Sequence, residues 1–234
     1  MKIALLGYGR MGKTIEQIAL DKGHEIVLKV GKNTKNYDIT LADVAIDFSI
    51  PSMAFENIAN CLNNNIPVVS GTTGWLDKFN DVTALCKKKK GSFIYASNFS
   101  IGVNVFFKLN EYLAKIIAHL NNYQVSIEEI HHTKKLDKPS GTAITLAEDI
   151  LKHSSKDNWS LNVTNNKNEI PIASKRIPDV PGTHAIKYES AEDTIEIKHT
   201  AHNRNGFALG AIIAAEWLVD KTGVFTMKDV LDLK

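Results

Sequence analysis

At 234 residues, 44% hydrophobic and 23% charged, the chain has the composition of a globular protein able to bury one large core or two smaller ones. Its formal net charge of +2 is too small to argue for a nucleic-acid partner. Two cysteines, Cys61 and Cys86, with neither CxxC spacing nor His/Cys companions, argue against a disulfide framework and read as reduced thiols.

Lys2 to Leu6 predicts a short buried strand, followed by Gly7-Tyr8-Gly9-Arg10-Met11-Gly12 and a helical run to Lys22. Gly23 ends that helix, and Glu25 to Val30 supplies the next strand. Alone, GxGxxG is a weak signal. Inside a strand-helix-strand unit of about 30 residues it predicts a dinucleotide site, with a pyrophosphate on the helix N-terminus. The alternation then repeats: strand Val44–Phe48, helix from Pro51 to Asn64, strand Pro67–Ser70, helix Trp75–Lys90 and strand Phe93–Ala96. The lysines Lys87 to Lys90 suit a solvated helix C-terminus. Strands alternating with helices imply a parallel sheet whose ligands bind beyond the strands' carboxyl ends. That rule puts Gly7–Gly12, Phe48-Ser49, Gly71–Gly74 and Ala96–Phe99 along one edge.

After Gly102 the pattern changes. A helix from Val103 to Leu120 precedes a strand carrying Val125, Ile127 and Ile130, and a helix carrying Ala143, Leu146, Ala147, Ile150 and Leu151 follows. Polar, Asn-rich residues Ser154 to Asn168 predict a loop. Strand-like runs Ile172–Ile177, Thr183–Tyr188 and Thr194–Ala201 make an α+β block. The apolar helix Phe207–Asp220 is expected to return to the first domain. The expected fold is therefore α/β: a Rossmann-like parallel-sheet domain, 1–101 with 206–234, and a smaller α+β domain, 102–205. The apolar run after Lys2 stops at Leu6, and Phe207 to Ala215 is cut short by Glu216. Neither a secretory signal nor a membrane span is predicted, and a cytoplasmic location is expected.

Between the strand and helix of the second block, Glu128 to Ala143 packs two imidazoles, three lysines and a Ser-Gly-Thr helix start into sixteen residues. Pro139 keeps the helix from beginning earlier, and Ser140 is the expected N-cap. The free amides of Gly141 and Thr142 then favour an anion, as do the lysines. The segment reads as a carboxylate or phosphate site with an attached proton donor.

The end of the second strand adds a cofactor inference. NAD enzymes of this fold usually place an acid there for the ribose 2′-hydroxyl. Here Val30-Gly31-Lys32-Asn33 has none, and Lys32 could pair with a 2′-phosphate. NADPH is the expected cofactor, with NADH as an alternative.

These motifs, in this order, resemble the dihydrodipicolinate reductase family. The matching segments are Gly7–Gly12, Asp47-Phe48-Ser49, Gly71–Gly74, Ser97–Asn104, Glu129–Lys135, Asp137–Ala143, Gly182-Thr183-His184, and Arg204 with Phe207-Ala208. The most specific is HHxxKxDxPSGTA. The resemblance implies a reductase of diaminopimelate and lysine biosynthesis that passes hydride from NAD(P)H to a cyclic dicarboxylate with loss of water. It implies His131 as proton donor, Lys135 as its catalytic partner, and His132, Gly141 and Thr142 on the substrate. On the cofactor it implies Gly7, Gly9, Arg10, Met11, Gly12, Gly71, Thr72, Thr73, Ala96, Ser97, Asn98, Phe99 and Arg204. It also implies a homotetramer assembled through the second domain.

Lys134 stands where relatives often have a further basic or aromatic ring, and is given no catalytic role. His184, after Gly182-Thr183, is left as a structural or cleft-facing group. No third ligand stands at helical or hairpin spacing from the histidine pair, so no metal is expected. A semialdehyde dehydrogenase would need an activated cysteine, yet Cys61 and Cys86 both fall inside predicted helices. A non-catalytic nucleotide sensor would be expected to lack the second-domain residues that are present here.

Overall fold

The computed structural model describes residues 1–32, 34, 36–120, 122–162 and 166–233. Asn33 of the second strand's end, and residues 163–165 of the expected loop, lie outside the described residues. The chain divides into two compact units, Met1–Asn104 with Asn205–Lys234, and Val105–Arg204.

In the first unit, β1 (Lys2–Leu6), α1 (Arg10–Asp21), β2 (Glu25–Val30), β3 (Val44–Asp47), α2 (Pro51–Asn63), β4 (Val68–Ser70), α3 (Phe79–Lys89) and β5 (Ser92–Tyr95) alternate as expected. The sheet is parallel throughout, with β1 paired to both β2 and β3 and the order continuing through β4 to β5. Alternation along each strand fills two cores. Ile3, Leu5, Ile46, Val69 and Ile94 join Ile15 and Ala19 of α1 on one face. Ala4, Leu6, Ala45, Val68 and Phe93 join Ile58, Leu62 and Val82 of α2 and α3 on the other. Successive residues of β1 serve opposite faces, which is why the strand reads as an unbroken apolar run.

The helix expected over Trp75–Lys90 opens instead with a 3₁₀ turn, Leu76–Lys78, and becomes α-helical at Phe79. Lys87, Lys88 and Lys89 fill its last turn and Lys90 turns left-handed at φ 50° to end it.

In the second unit, α4 (Ile101–Ile117, its first turn counted with the first unit) leads to β6 (Gln124–His131), α5 (Gly141–Leu151), β7 (Asn158–Leu161), β8 (Glu169–Arg176), β9 (Gly182–Glu189) and β10 (Thr194–Ala201). The sheet order is β10-β9-β6-β8-β7. β6 runs parallel to β8 and antiparallel to β9, so the sheet is mixed. Phe106, Ala114 and Ile117 of α4 and Leu146 and Ile150 of α5 cover one face, over Ile127, Ile172 and Ile186. Asn110 Nδ2 donates to Leu146 O at 3.0 Å and ties the two helices. Strand β7 corrects the loop expected over Ser154–Asn168: a half-exposed edge strand, Asn158-Trp159-Ser160-Leu161, lies inside it.

The chain returns to the first unit through α6 (Asn205–Leu218), then β11 (Gly223–Phe225) and α7 (Met227–Val230). β11 adds a sixth parallel strand beside β5. Gly210 lets α6 approach closely, since a Cβ there would collide with the Phe99 carbonyl oxygen. No helix among the described residues is long and apolar enough to cross a membrane.

Candidate active site

The first unit carries a glycine-built edge where β1, β3, β4 and β5 end. Gly7 has φ +100°, which an L side chain rarely adopts, and a Cβ on it would strike the Phe48 carbonyl. Around Gly9 there is open space, and it caps α1 with no side-chain hydrogen bond. The first amides of α1, at Arg10 and Met11, are thus left to an anion in front of the helix, which fits the pyrophosphate of a dinucleotide.

Beneath this edge Asp47 is fully buried and accepts from Ser70 Oγ at 2.9 Å, Thr72 Oγ1 at 2.7 Å and Asn57 Nδ2 at 2.9 Å. Burial pushes its carboxyl up, against the opposing pull of Ser49, Thr72, Asn57 and Ser70. Thr72 is buried, its hydroxyl spent on Asp47 and on the Ser49 amide, so its side chain supports the loop from below. Thr73 and Ser97 are exposed, Gly71, Ala96 and Asn98 half-buried, and Phe99 buried at 5.8 Å from the Phe48 ring. Lys32 is exposed just past β2. Within β2, Lys29 pairs with Glu16 of α1 and lies 5.2 Å over the Tyr8 ring.

In the second unit β6 alternates so that Val125, Ile127, Glu129 and His131 share the buried face. The last two bring ionisable groups to the end of a hydrophobic core. Glu129 is fully buried and accepts from Arg176 Nη1 at 3.1 Å, Arg176 Nη2 at 3.2 Å and the Ser140 amide at 3.1 Å, and also from Ser174 Oγ. Burial would raise its carboxyl, but the approach of the His131 ring and the hydrogen bonds from Ser140 and Ser174 prevail and hold it well below the usual carboxylate range. His131 Nδ1 lies 3.3 Å from Glu129 Oε2, and the His131 and His184 rings meet edge-on at 5.0 Å. His184 Nε2 is 3.1 Å from Ser140 Oγ. Burial, then the neighbouring His131, pushes the His184 imidazole down to about 3, so at neutral pH it is uncharged.

Ser140 caps α5 by accepting from the Ala143 amide at 3.2 Å, leaving the Gly141 and Thr142 amides at the helix's open end. Lys135 Nζ donates to both Asp137 oxygens, at 2.8 and 2.7 Å, which overcomes burial and lowers the Asp137 carboxyl. The guanidinium of Arg176 also donates to Lys135 O at 3.3 Å and to Asp137 O, fastening the loop that carries the lysine. His132 is half-buried; its imidazole is pushed down by burial and then by the charge of Arg204. Arg204, read from the sequence as cofactor-facing, is exposed and bears electrostatically on His132. Lys134 is exposed.

Sequence reasoning assigns no role to Glu129, Ser174 or Arg176 and leaves His184 open, yet Ser174, Arg176 and His184 converge on the Glu129 carboxylate beside His131. Glu129, His131 and His184 bring ligand-type atoms within 4.8 Å of one another. The carboxylate's lone pairs are engaged by Arg176, Ser174 and Ser140, and a guanidinium is an unfavourable neighbour for a cation, so the cluster is a hydrogen-bonded network.

A Rossmann-type nucleotide-binding sheet, and a second unit holding His, Lys and an open helix terminus for a carboxylate, define a nicotinamide-dependent oxidoreductase of an anionic substrate. The chain belongs to the dihydrodipicolinate reductase family: residues 1–99 match the family's N-terminus and residues 102–231 its C-terminus. It is 58% identical over 234 residues to a 4-hydroxy-tetrahydrodipicolinate reductase from Christiangramia forsetii, covering 99% of this chain and 98% of that one. Among solved structures it resembles a dipicolinate-bound dihydrodipicolinate reductase from Paenisporosarcina sp. TG-14, with TM-score 0.78, 25% identity and 97% of each chain covered. An amine dehydrogenase from Mycobacterium smegmatis shares the fold alone, with TM-score 0.62, 10% identity, and 96% and 94% of the two chains covered.

Proposed function

We propose that the chain reduces 4-hydroxy-tetrahydrodipicolinate to tetrahydrodipicolinate with loss of water, with His131 as proton donor and Lys135 as its partner. The activity is that of an oxidoreductase of diaminopimelate and lysine biosynthesis, the role of its family. Bound reduced nicotinamide supplies the hydride. His131 holds the proton that quenches the negative charge left by hydride addition, and a positioned donor of this kind contributes about 10²–10⁴ in rate. Lys135 adds positive charge beside it, and His132 with the Gly141 and Thr142 amides grips a carboxylate. The observation that carries this reading is the Ser140 cap, which opens the α5 terminus next to the buried His131.

On the nucleotide side, Gly7, Gly9, Arg10, Met11 and Gly12 hold the pyrophosphate, and Gly71, Thr73 and the Ala96–Phe99 turn hold the rest, with Thr72 beneath them. Arg204 is assigned to the cofactor as well. NADPH is the preferred cofactor, with Lys32 on the 2′-phosphate. The first domain comprises 1–101 with 206–234, and 102–205 binds substrate and assembles a cytoplasmic homotetramer. Single-turnover and steady-state assays with the product of dihydrodipicolinate synthase test the reading. His131→Ala and Lys135→Ala should each lower kcat about 10²-fold or more while NADPH affinity holds. Wild-type turnover in both variants would overturn the assignment.

A further inference from the structure

We propose that Glu129 is the positioning residue of this site, setting His131, the open end of α5 and the Lys135 loop through one buried carboxylate. The proposal rests on the reading of His131 as proton donor and extends it to what makes that donor competent.

Three strands converge on the carboxylate. In the sheet register Glu129 stands beside Ser174 of β8 on one side and His184 of β9 on the other, while His131 stands beside Arg176. One oxygen, Oε1, takes the Arg176 guanidinium and the Ser174 hydroxyl. The other, Oε2, takes the Ser140 amide at 3.1 Å and lies 3.3 Å from His131 Nδ1. Nδ1 is sealed from solvent and, in this geometry, not in line for a full hydrogen bond. The 10% exposure that the ring keeps therefore belongs to its other edge. At that edge, Gly182 stands where a Cβ would come within 3.1 Å of Nε2.

The consequence is a defined proton inventory. An imidazolium that faces Glu129 with Nδ1–H presents Nε2–H outward. Transfer of the Nε2 proton to substrate leaves a neutral ring whose remaining proton stays on Nδ1 beside the carboxylate. The same carboxylate holds the Ser140 amide, hence the N-cap and the free amides after it. Its Arg176 partner reaches the Lys135 and Asp137 carbonyls, so displacement of Glu129 would loosen acid, anion grip and lysine together.

Other charges surround this network: His184 on β9 and Arg176 on β8 stand beside His131, Lys135 acts on His184, His199 of β10 does so too, Asp137 pairs with Lys135, and Arg204, Lys135 and Lys134 bear on His132. Most are cationic or neutral at neutral pH. Glu129 is the buried carboxylate among them, and its Oε2 is the atom that faces His131 Nδ1.

The test is Glu129→Gln against Glu129→Asp, with His131→Gln in parallel, each followed by kcat, KM for both substrates, and the pH profile of kcat. We expect Glu129→Gln to lower kcat about 10²-fold, the low end of what a positioned donor contributes, and to move the basic limb of the profile to lower pH. KM for the nucleotide stays within twofold, and Glu129→Asp keeps the limb where it was. A merely structural Glu129 would instead give parallel losses in both variants with an unmoved limb, which would overturn the proposal. Should Glu129→Gln not fold because Arg176 is left without its counter-charge, Glu129→Gln with Arg176→Met removes both charges, and the same profile is read. An active His131→Gln would sink the underlying donor reading. An inactive His131→Gln beside a Glu129→Gln of unchanged profile would sink the positioning role alone.

Discussion

Thr72 Oγ1 donates to the buried Asp47 carboxylate at 2.7 Å and accepts from the Ser49 amide at 2.9 Å, so one hydroxyl joins the ends of β3 and β4. Thr72→Val keeps the shape and removes both bonds. It leaves the Ser49 amide without its acceptor and deprives Asp47 of a donor, which should cost about 1–3 kcal/mol. Thermal unfolding should fall by several degrees, and NADPH affinity should weaken because Gly71 and Thr73 lose their support. Unchanged melting and binding would show that the hydroxyl is replaceable by water.

Gly31 follows β2 with open space around the position of a Cβ, and its amide donates to Thr34 Oγ1 at 3.0 Å. A carboxylate can therefore be added there without displacing a neighbour. Gly31→Asp should improve kcat/KM for NADH relative to NADPH by roughly tenfold, about 1.4 kcal/mol, through ribose hydroxyl binding and repulsion of a 2′-phosphate. An unmoved ratio in steady-state assays with both nucleotides would place the ribose elsewhere.

Gly182 belongs to β9 and is buried, and a Cβ there would lie 3.1 Å from His131 Nε2 and 3.3 Å from Cδ2. Gly182→Ala should shift the ring by a few tenths of an ångström without changing the strand. Small misplacements of reacting groups are costly, so kcat should fall roughly tenfold while the melting temperature changes little. Equal turnover in the variant would show that the His131 ring keeps its working position with the added methyl in place.

Most of the first unit was legible because its strands are short apolar runs separated by glycine loops, a pattern that few other folds generate. The second unit was legible as α+β, with two instructive gaps. Strand β7 was hidden because Asn158-Trp159-Ser160-Leu161 is a half-exposed edge strand amid Asn-rich sequence, with no buried alternation to mark it. β11 was hidden because its three residues pair only along one side of Ser92 to Ile94. In the site, the Ser140 cap was visible from local sequence, since a cap is a relation across three residues. The meeting of Glu129 with Ser174, Arg176 and His184 was not, because it depends on the register of β6 against β8 and β9. Spacing along the chain carries no information about that register.

His184 gives the fold an acid-side weakness whose sign can be worked out. Above its ordinary value of 6.5 the imidazole is neutral in both folded and unfolded chains, and it contributes no pH dependence. Between pH 6.5 and about 3 the unfolded chain takes up a proton that the buried ring refuses, so stability falls as pH falls. By the low end the accumulated loss is on the order of 4 kcal/mol. Glu129, held well below the usual carboxylate range, adds its own loss from its ordinary value of 4.5 downward, where the unfolded chain's carboxyl takes up a proton that the folded one does not. Urea unfolding at pH 7.5, 5.5 and 4.5 should show a steady decline for the wild-type chain. His184→Gln retains a polar group beside Ser140 Oγ and removes the titration, so its decline from pH 7.5 to 4.5 should be visibly shallower. Parallel declines in the two proteins would mean that the acid sensitivity arises at other groups.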